Sequence, residues 1–247
     1  MSLFSIFKRE QKPPTPEKLA DLAPTDSGDS YDWGRTKRSV SNRAGDPSLK
    51  DAAIFRQRHL IDRDSRIGGG VYLGENKREA LVVDWSPKKE QHRGPSPLTQ
   101  LYKEALSRCH KGGIFDKRTA LREVYDLVRE TFKDNSDSGL DKVFSDSGIK
   151  PDDKVPIDLF IVTKTGVCRH MAITIGAILE RMCDEGYLGG KVNIHRNQSS
   201  LGAHAWIRYT ASDGKPYILD AMHGYIGSLA KSFTSQWNYF MPGENRN

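Results

Sequence analysis

The sequence predicts an α+β fold. Two apolar stripes at helical spacing, over residues 116–132 and 165–182, precede two strand-like segments, 202–209 and 215–220. The strands are joined by Asp213-Gly214, a hairpin signal. The helix at 165–182 is apolar on most sides and is therefore expected to be buried.

At 247 residues the chain has room for one large or two small domains. Hydrophobic residues make up 36% and charged residues 28%, and the mean hydropathy is -0.63. The apolar residues concentrate in a few segments, which can still build a core. A net charge of +6 and a pI near 9.1 are mildly basic. The densest basic stretch, Arg35, Lys37, Arg38 and Arg43, has no interleaved aromatics, which argues against nucleic acid as a partner. Cys109, Cys168 and Cys183 do not form a disulfide framework, so a reducing compartment, the cytoplasm, is the default expectation. On a continuous helix Cys168 and Cys183 stand about 22 Å apart, well beyond the roughly 7 Å a disulfide allows. No run reaches the roughly 18–20 apolar residues of a membrane span. The start, Met1-Ser-Leu-Phe-Ser-Ile-Phe-Lys-Arg, places its charges after a short apolar stretch, the reverse of a secretory signal peptide. Export by a route without a cleaved signal is compatible with it.

Residues 1–50, rich in Pro, Ser, Asp and Lys, are expected to form a flexible polar arm. Residues 51–114 read as an extension packed on the core, with a short hairpin and a helix. Within it, Ile54, Phe55, Leu60 and Ile61 suggest a short helix, and Gly68-Gly69-Gly70 a tight turn. Val71-Tyr-Leu and Ala80 to Trp85 suggest two strands, and Leu98 to Arg108 a helix. The core spans 115–247. Its first helix, Asp116 to Phe132, carries Leu121, Val124, Tyr125, Val128 and Phe132 on one stripe, with Asp116 as N-cap. Asp134 to Gly139 ends that helix, and a loop with Pro151 and Pro156 leads to the apolar stretch Ile157–Val162.

In the next helix Met171, Ile175, Ile178, Leu179 and Met182 keep helical spacing, and Ala172 and Gly176 permit close packing. Thr165 or a neighbour is expected to cap it, and Asp184-Glu-Gly186 to end it. Cys168 falls in its first turn, where unpaired N–H groups and the positive dipole end favour a thiolate. The same N–H groups suit an oxyanion beside the sulfur. Cys183, at the opposite end, reads as packing. Cys168 and His170 are two apart and do not face each other on a helix, and no Cys-x-x-Cys or His-x-x-x-His pair completes a ligand set. Neither a metal nor a cofactor is expected.

A thiolate needs a base. His204, Trp206 and Arg208 share one face of their strand. A two-residue Asp213-Gly214 loop would set His204 opposite His223 and turn Asp220 to the wrong face. A three-residue loop, Ser212-Asp-Gly214, pairs 211 with 215 and sets Asp220 opposite Trp206, diagonal to His204 and within reach of it. A Cys168–His204–Asp220 triad therefore requires the odd-numbered loop. His170, His195 and His223 read as structural or solvent-facing.

Together, Gly166-x-Cys168-x-x-x-Ala172, His204-Ala-Trp206 and Asp220 resemble the transglutaminase-like, papain-related superfamily core over roughly residues 115–230. Ala120 to Arg129 is similar to that family's first core helix. Gly-Val-Cys-Arg-His170, Asp220-Ala-Met and Gly227-Ser-Leu are similar to the domain in front of some plant stress-response kinases. The resemblance implies a transglutaminase-like (papain-like) core, with Cys168 at the start of a buried helix packed on an antiparallel sheet carrying His204 and Asp220. It implies cysteine-dependent acyl transfer on a protein or peptide substrate, with hydrolysis, by a protease or deamidase, as the leading expectation. Transglutaminase cross-linking, or an inactive protein-interaction domain of the same fold, are the alternatives. Trp206 would wall the substrate's acyl pocket or shield the His–Asp bond. The family's oxyanion side chain is an upstream Trp, Tyr or Gln; Trp85, Gln91 and Gln100 lie in that stretch, and no motif selects among them.

Overall fold

The computed structural model describes residues 54–55, 57–73, 79–85, 94–150, 153–199, 202–234 and 237–240, with side chains omitted at a few of these. The expected N-terminal arm and Gln91 lie outside them.

The fold is mixed α+β, organised around a helix laid on a four-stranded antiparallel sheet. The sheet comprises β8 (Lys191–Ser199), β9 (Gly202–Thr210), β10 (Pro216–Asp220) and β11 (Tyr225–Ser228), in the order β11-β10-β9-β8. Alternation sorts each strand onto two faces. On one face Ala205, Ile207 and Tyr209 meet cross-strand Ile194, Val192 and Leu219 and join the main apolar core. The helix α5 (Cys168–Asp184) brings Met171, Ile175, Ile178, Leu179 and Met182 into the same core. Each such fully buried Leu, Ile or Met contributes about 1.5–3 kcal/mol. A Cβ at Gly176 would come within 2.6 Å of Ile67 and 2.8 Å of Ile207, so the missing side chain sets how closely α5 lies on β9. On the other face Trp206, Ile218, Leu229, Trp237 and Tyr239 form a second, smaller cluster.

The β9–β10 hairpin fixes the register on which the site depends. Thr210 pairs with Pro216, and the Ala211 N–H donates to the Lys215 carbonyl at 2.9 Å. The loop is thus the three residues Ser212-Asp213-Gly214, closed by Gly214 in the left-handed region at φ 82°.

The segment before α5 adds to the same interior. β3 (Val71–Leu73) pairs antiparallel with β4 (Ala80–Val82), and β4 pairs parallel with β7 (Lys154–Pro156). Tyr72, Leu81, and Leu98 and Tyr102 of α1 (Pro97–Cys109) lie in one apolar cluster with α5. After α1, β5 (His110–Lys111) and β6 (Ile114–Phe115) pair as a short antiparallel hairpin. The Gly68–Gly70 turn folds as expected, and its N–H groups are used. Ile67 and Gly68 N–H donate to the Glu180 carboxylate at 2.9 and 2.7 Å.

Three local expectations differ from what is found. Residues 54–61 are not helical: β1 (Ile54–Phe55) and β2 (Arg58–His59) form a small hairpin, with Gln57 at φ 67° making the turn. The helix α2 (Ala120–Thr131) starts four residues later than Asp116. Asp116 instead stabilises the preceding turn, its carboxylate accepting from Arg118 N–H at 3.0 Å. Finally, the polar stretch after α2 is a second helix, α3 (Asp137–Ser147), capped by the Ser136 hydroxyl accepting from Gly139 N–H at 3.0 Å. Between β7 and α5 lies α4 (Ile157–Thr163), covering the apolar 157–162 stretch. Among the described residues no helix is long and apolar enough to cross a membrane.

Candidate active site

Cys168 is the first residue of α5 and is half-buried. Its approach is held by the exit of α2: the Lys133 and Asp134 N–H groups donate to Lys164 O, and Gly166 N–H donates to Asp134 O at 2.9 Å. Gly166 is enclosed, since a Cβ there would meet the Phe132 ring at 2.7 Å and His170 Cβ at 2.8 Å. Thr165 is not the cap, because its hydroxyl donates to Thr163 O. The cap position belongs to Val167, which has no side-chain acceptor. His170 closes the turn from the other side, with Nδ1 accepting the Val167 N–H at 3.2 Å.

That arrangement fixes the His170 tautomer. With Nδ1 accepting, the ring proton lies on Nε2, 3.1 Å from buried Glu79. Glu79 also takes a bidentate pair from Arg169, at 2.7 and 3.1 Å. Burial pushes the Glu79 carboxyl up, but the hydrogen bond from His170 and the charge and hydrogen bonds of Arg169 lower it, to about 2. The helix mouth is therefore clamped on one side by a buried carboxylate ninety positions away in sequence.

On the other side stands His204. Its Nε2 lies 2.6 Å from Asp220 Oδ2, which leaves Nδ1 for the thiol, and Cys168 and His204 are hydrogen-bonded. The paired β9–β10 ladder ends at Ile207–Leu219. Just beyond it, the Ala205 N–H donates to the Cys168 sulfur. Burial alone would raise the Cys168 pKa, yet His204, the Ala205 N–H and Arg169 together lower it. Burial likewise disfavours a charged His204, but Asp220 and Cys168 raise it to about 9. Both shifts favour a thiolate–imidazolium pair over a neutral thiol and imidazole. The other two thiols behave oppositely: burial pushes Cys109 and Cys183 up to about 11.

Asp220 is 1% exposed and satisfied from several sides. Its Oδ2 also accepts from the Tyr239 hydroxyl at 2.7 Å and lies 3.1 Å from His223 Nδ1, while Oδ1 accepts the His223 N–H at 3.1 Å. Burial raises its pKa, and these partners, His204 foremost, bring it below the ordinary carboxylate value.

The structure thus brings Cys168, His204 and Asp220 together. Trp206 sits elsewhere than a substrate wall. At 1% exposure it lies beneath Tyr239 and stacks beside His204 at 5.9 Å, so it shields the His–Asp bond and presents no face to a substrate. Of the oxyanion candidates, the two among the described residues, Trp85 and Gln100, are engaged elsewhere. Trp85 packs with Arg181 and Tyr102, about 20 Å along α5 from Cys168, and Gln100 donates to Pro95 O on an exposed surface. Tyr72 is an aromatic residue electrostatically coupled to the thiol. It is 6% exposed, burial raises its pKa, and the Cys168 charge adds to the rise. Sequence reasoning missed Tyr72, Glu79 and Tyr239. Tyr72 was legible only as one position in a short strand, and the other two have no local signal.

Among the described residues one cluster has metal-ligand character: His204, Asp220 and His223, whose ligand atoms lie within 4.8 Å of one another. No protein-family model matches the chain, and no curated protein and no solved structure resembles it at a significant level.

Proposed function

We propose that the chain is a cysteine-dependent acyl-transfer enzyme acting on a peptide or glutamine-type amide, built on a transglutaminase-like core. The observation that carries this reading is the unbroken hydrogen-bonded series from Cys168 through His204 to Asp220, with the thiol at a helix start. A buried thiol without function would have its pKa raised, as Cys109 does.

In this reading the Cys168 thiolate attacks the amide carbonyl. The developing oxyanion is met by the first N–H groups of α5, which Val167 leaves uncovered, and by the Tyr72 phenol. His204 gives its Nδ1 proton to the leaving amine, producing a thioester. Nδ1 then takes a proton from water, which attacks the thioester, and the thiol is restored. A lysine amine in place of water would give cross-linking; hydrolysis is the reaction proposed. Asp220 keeps the Nε2 proton in place throughout and stabilises the imidazolium.

Iodoacetamide labelling at neutral pH, mapped by mass spectrometry, tests the site. Selective alkylation of Cys168 ahead of Cys109 and Cys183 is expected, together with an acyl adduct on Cys168 when activated peptide esters are supplied. Three equally sluggish thiols would sink the proposal.

A further inference from the structure

The reaction proposed above uses one of the two imidazoles at Asp220. The second, His223, places Nδ1 3.1 Å from the same carboxylate oxygen that His204 Nε2 meets at 2.6 Å. The two rings are 4.1 Å apart. Both cannot carry charge there without direct repulsion. Two imidazole nitrogens and a carboxylate, converging within 4.8 Å of one another, form a donor set suited to a zinc-class ion.

We propose that His204, Asp220 and His223 bind a divalent transition-metal ion of the zinc class, and that its binding arrests the thiol chemistry; the second clause rests on the acyl-transfer reading. Zinc takes nitrogen and oxygen ligands at about 2.0–2.2 Å, which in tetrahedral geometry sets them roughly 3.3–3.6 Å apart, so the His204–Asp220 contact must open by roughly 0.7–1 Å and the His223–Asp220 contact by a few tenths. The surroundings already supply outer support. Tyr239 holds Oδ2 and the His223 N–H holds Oδ1, orienting the carboxylate as such sites require. Trp237 stacks on His223 at 5.3 Å and meets His204 edge-on at 4.8 Å, giving the cluster an apolar wall. The His223 side chain is 29% exposed, against 4% for His204 and 1% for Asp220, so an ion enters along His223.

The protons balance. The ion replaces the Nε2 proton of an imidazolium His204, which passes to solvent, and His223 presents its Nδ1 lone pair to the ion with its ring proton on Nε2. Asp220 stays ionised. His204 then keeps a proton on Nδ1 beside the thiolate, and giving it up would leave a metal-bound imidazolate, so the leaving amine goes unprotonated. Turnover stops before the thioester forms, and the thiolate survives.

Isothermal titration with Zn²⁺ alone, on the full chain and its C168S, H223A and H223N variants, tests this. One ion per chain is expected in wild type and C168S, with about one proton released, read from buffers of different ionisation enthalpy. Both His223 variants should weaken binding by more than the roughly 10–100-fold that loss of an outer partner causes. Co²⁺ should give tetrahedral ligand-field bands without a thiolate charge-transfer band, and saturating Zn²⁺ should leave iodoacetamide labelling of Cys168 intact. Binding unaltered in both His223 variants, abolished in C168S, or protective of Cys168 overturns the proposal. Because binding is read in C168S, which has no thiol to turn over, its failure and that of the acyl-transfer reading are separable.

Discussion

Asp220 and His204 are held on one face of the sheet by the three-residue loop at Ser212–Gly214, and their side chains meet at 2.6 Å in a site from which water is nearly excluded. A carboxylate in so enclosed a position determines both the tautomer and the charge of its imidazole. Replacing it by an amide, D220N, keeps the shape but reverses the hydrogen-bond demand on Nε2. Turnover should fall by roughly 10³–10⁴-fold, the range a triad acid contributes, with little change in far-ultraviolet circular dichroism. A loss under tenfold would show that Asp220 is structural.

The charge state of the pair has a pH signature. His204 is raised from an ordinary 6.5 to about 9, so its protonation favours the fold fully below 6.5 and loses that effect as pH rises through 9. Activity should show an alkaline limb near that upper value, and its acid limb should follow the lowered thiol. In H204A the thiol loses its main partner, and the thiolate fraction at pH 7 should drop to about a few per cent or less. The pH dependence of Cys168 alkylation measures this directly.

Glu79 acts on the other side of the helix mouth. E79Q leaves Arg169 without its counter-ion in a site where the carboxylate is fully buried, and should lower stability by about 3–5 kcal/mol in urea unfolding. Its carboxyl is depressed to about 2 from an ordinary 4.5. The contribution is thus whole above 4.5 and disappears as pH falls toward 2. The gap between wild type and E79Q should close over that window.

Tyr239 provides the most buried donor to Asp220. Y239F removes one hydrogen bond to a charged acceptor and should reduce stability by about 1.5–3 kcal/mol. The alkaline limb of activity should also move, because a less firmly held carboxylate supports His204 differently. A stability loss with an unmoved pH profile would confine Tyr239 to packing.

The parts of the site legible in the sequence are those that short-range physics writes locally. The stripe from Met171 to Met182 marks α5, and Asp213-Gly214 within an alternating pair marks the hairpin, while its register stays open between a two- and a three-residue loop until the Thr210–Pro216 pairing is seen. What stayed hidden has two causes. α3 carries only Leu140 and Val143 among its buried large apolar residues, so its polar start looked like a breaker although Ser136 is a cap. Glu79, Tyr72 and Tyr239 reach the site through tertiary contacts, and no spacing rule links position 79 to position 169. Helix spacing is likewise blind to the cluster of His204, Asp220 and His223, which converge across a strand pair and a turn.

Val167 sets stability against access at the helix mouth. Serine or aspartate at a helix start typically adds about 1 kcal/mol by occupying the amides there, and Val167 makes no such side-chain bond. V167S should therefore yield a sturdier protein and a poorer catalyst, its hydroxyl competing for the amides that an incoming carbonyl oxygen needs. The apolar residue at the cap leaves α5 short of its best local stability at the turn where the thiol sits, a trade that favours an open doorway over a sealed one.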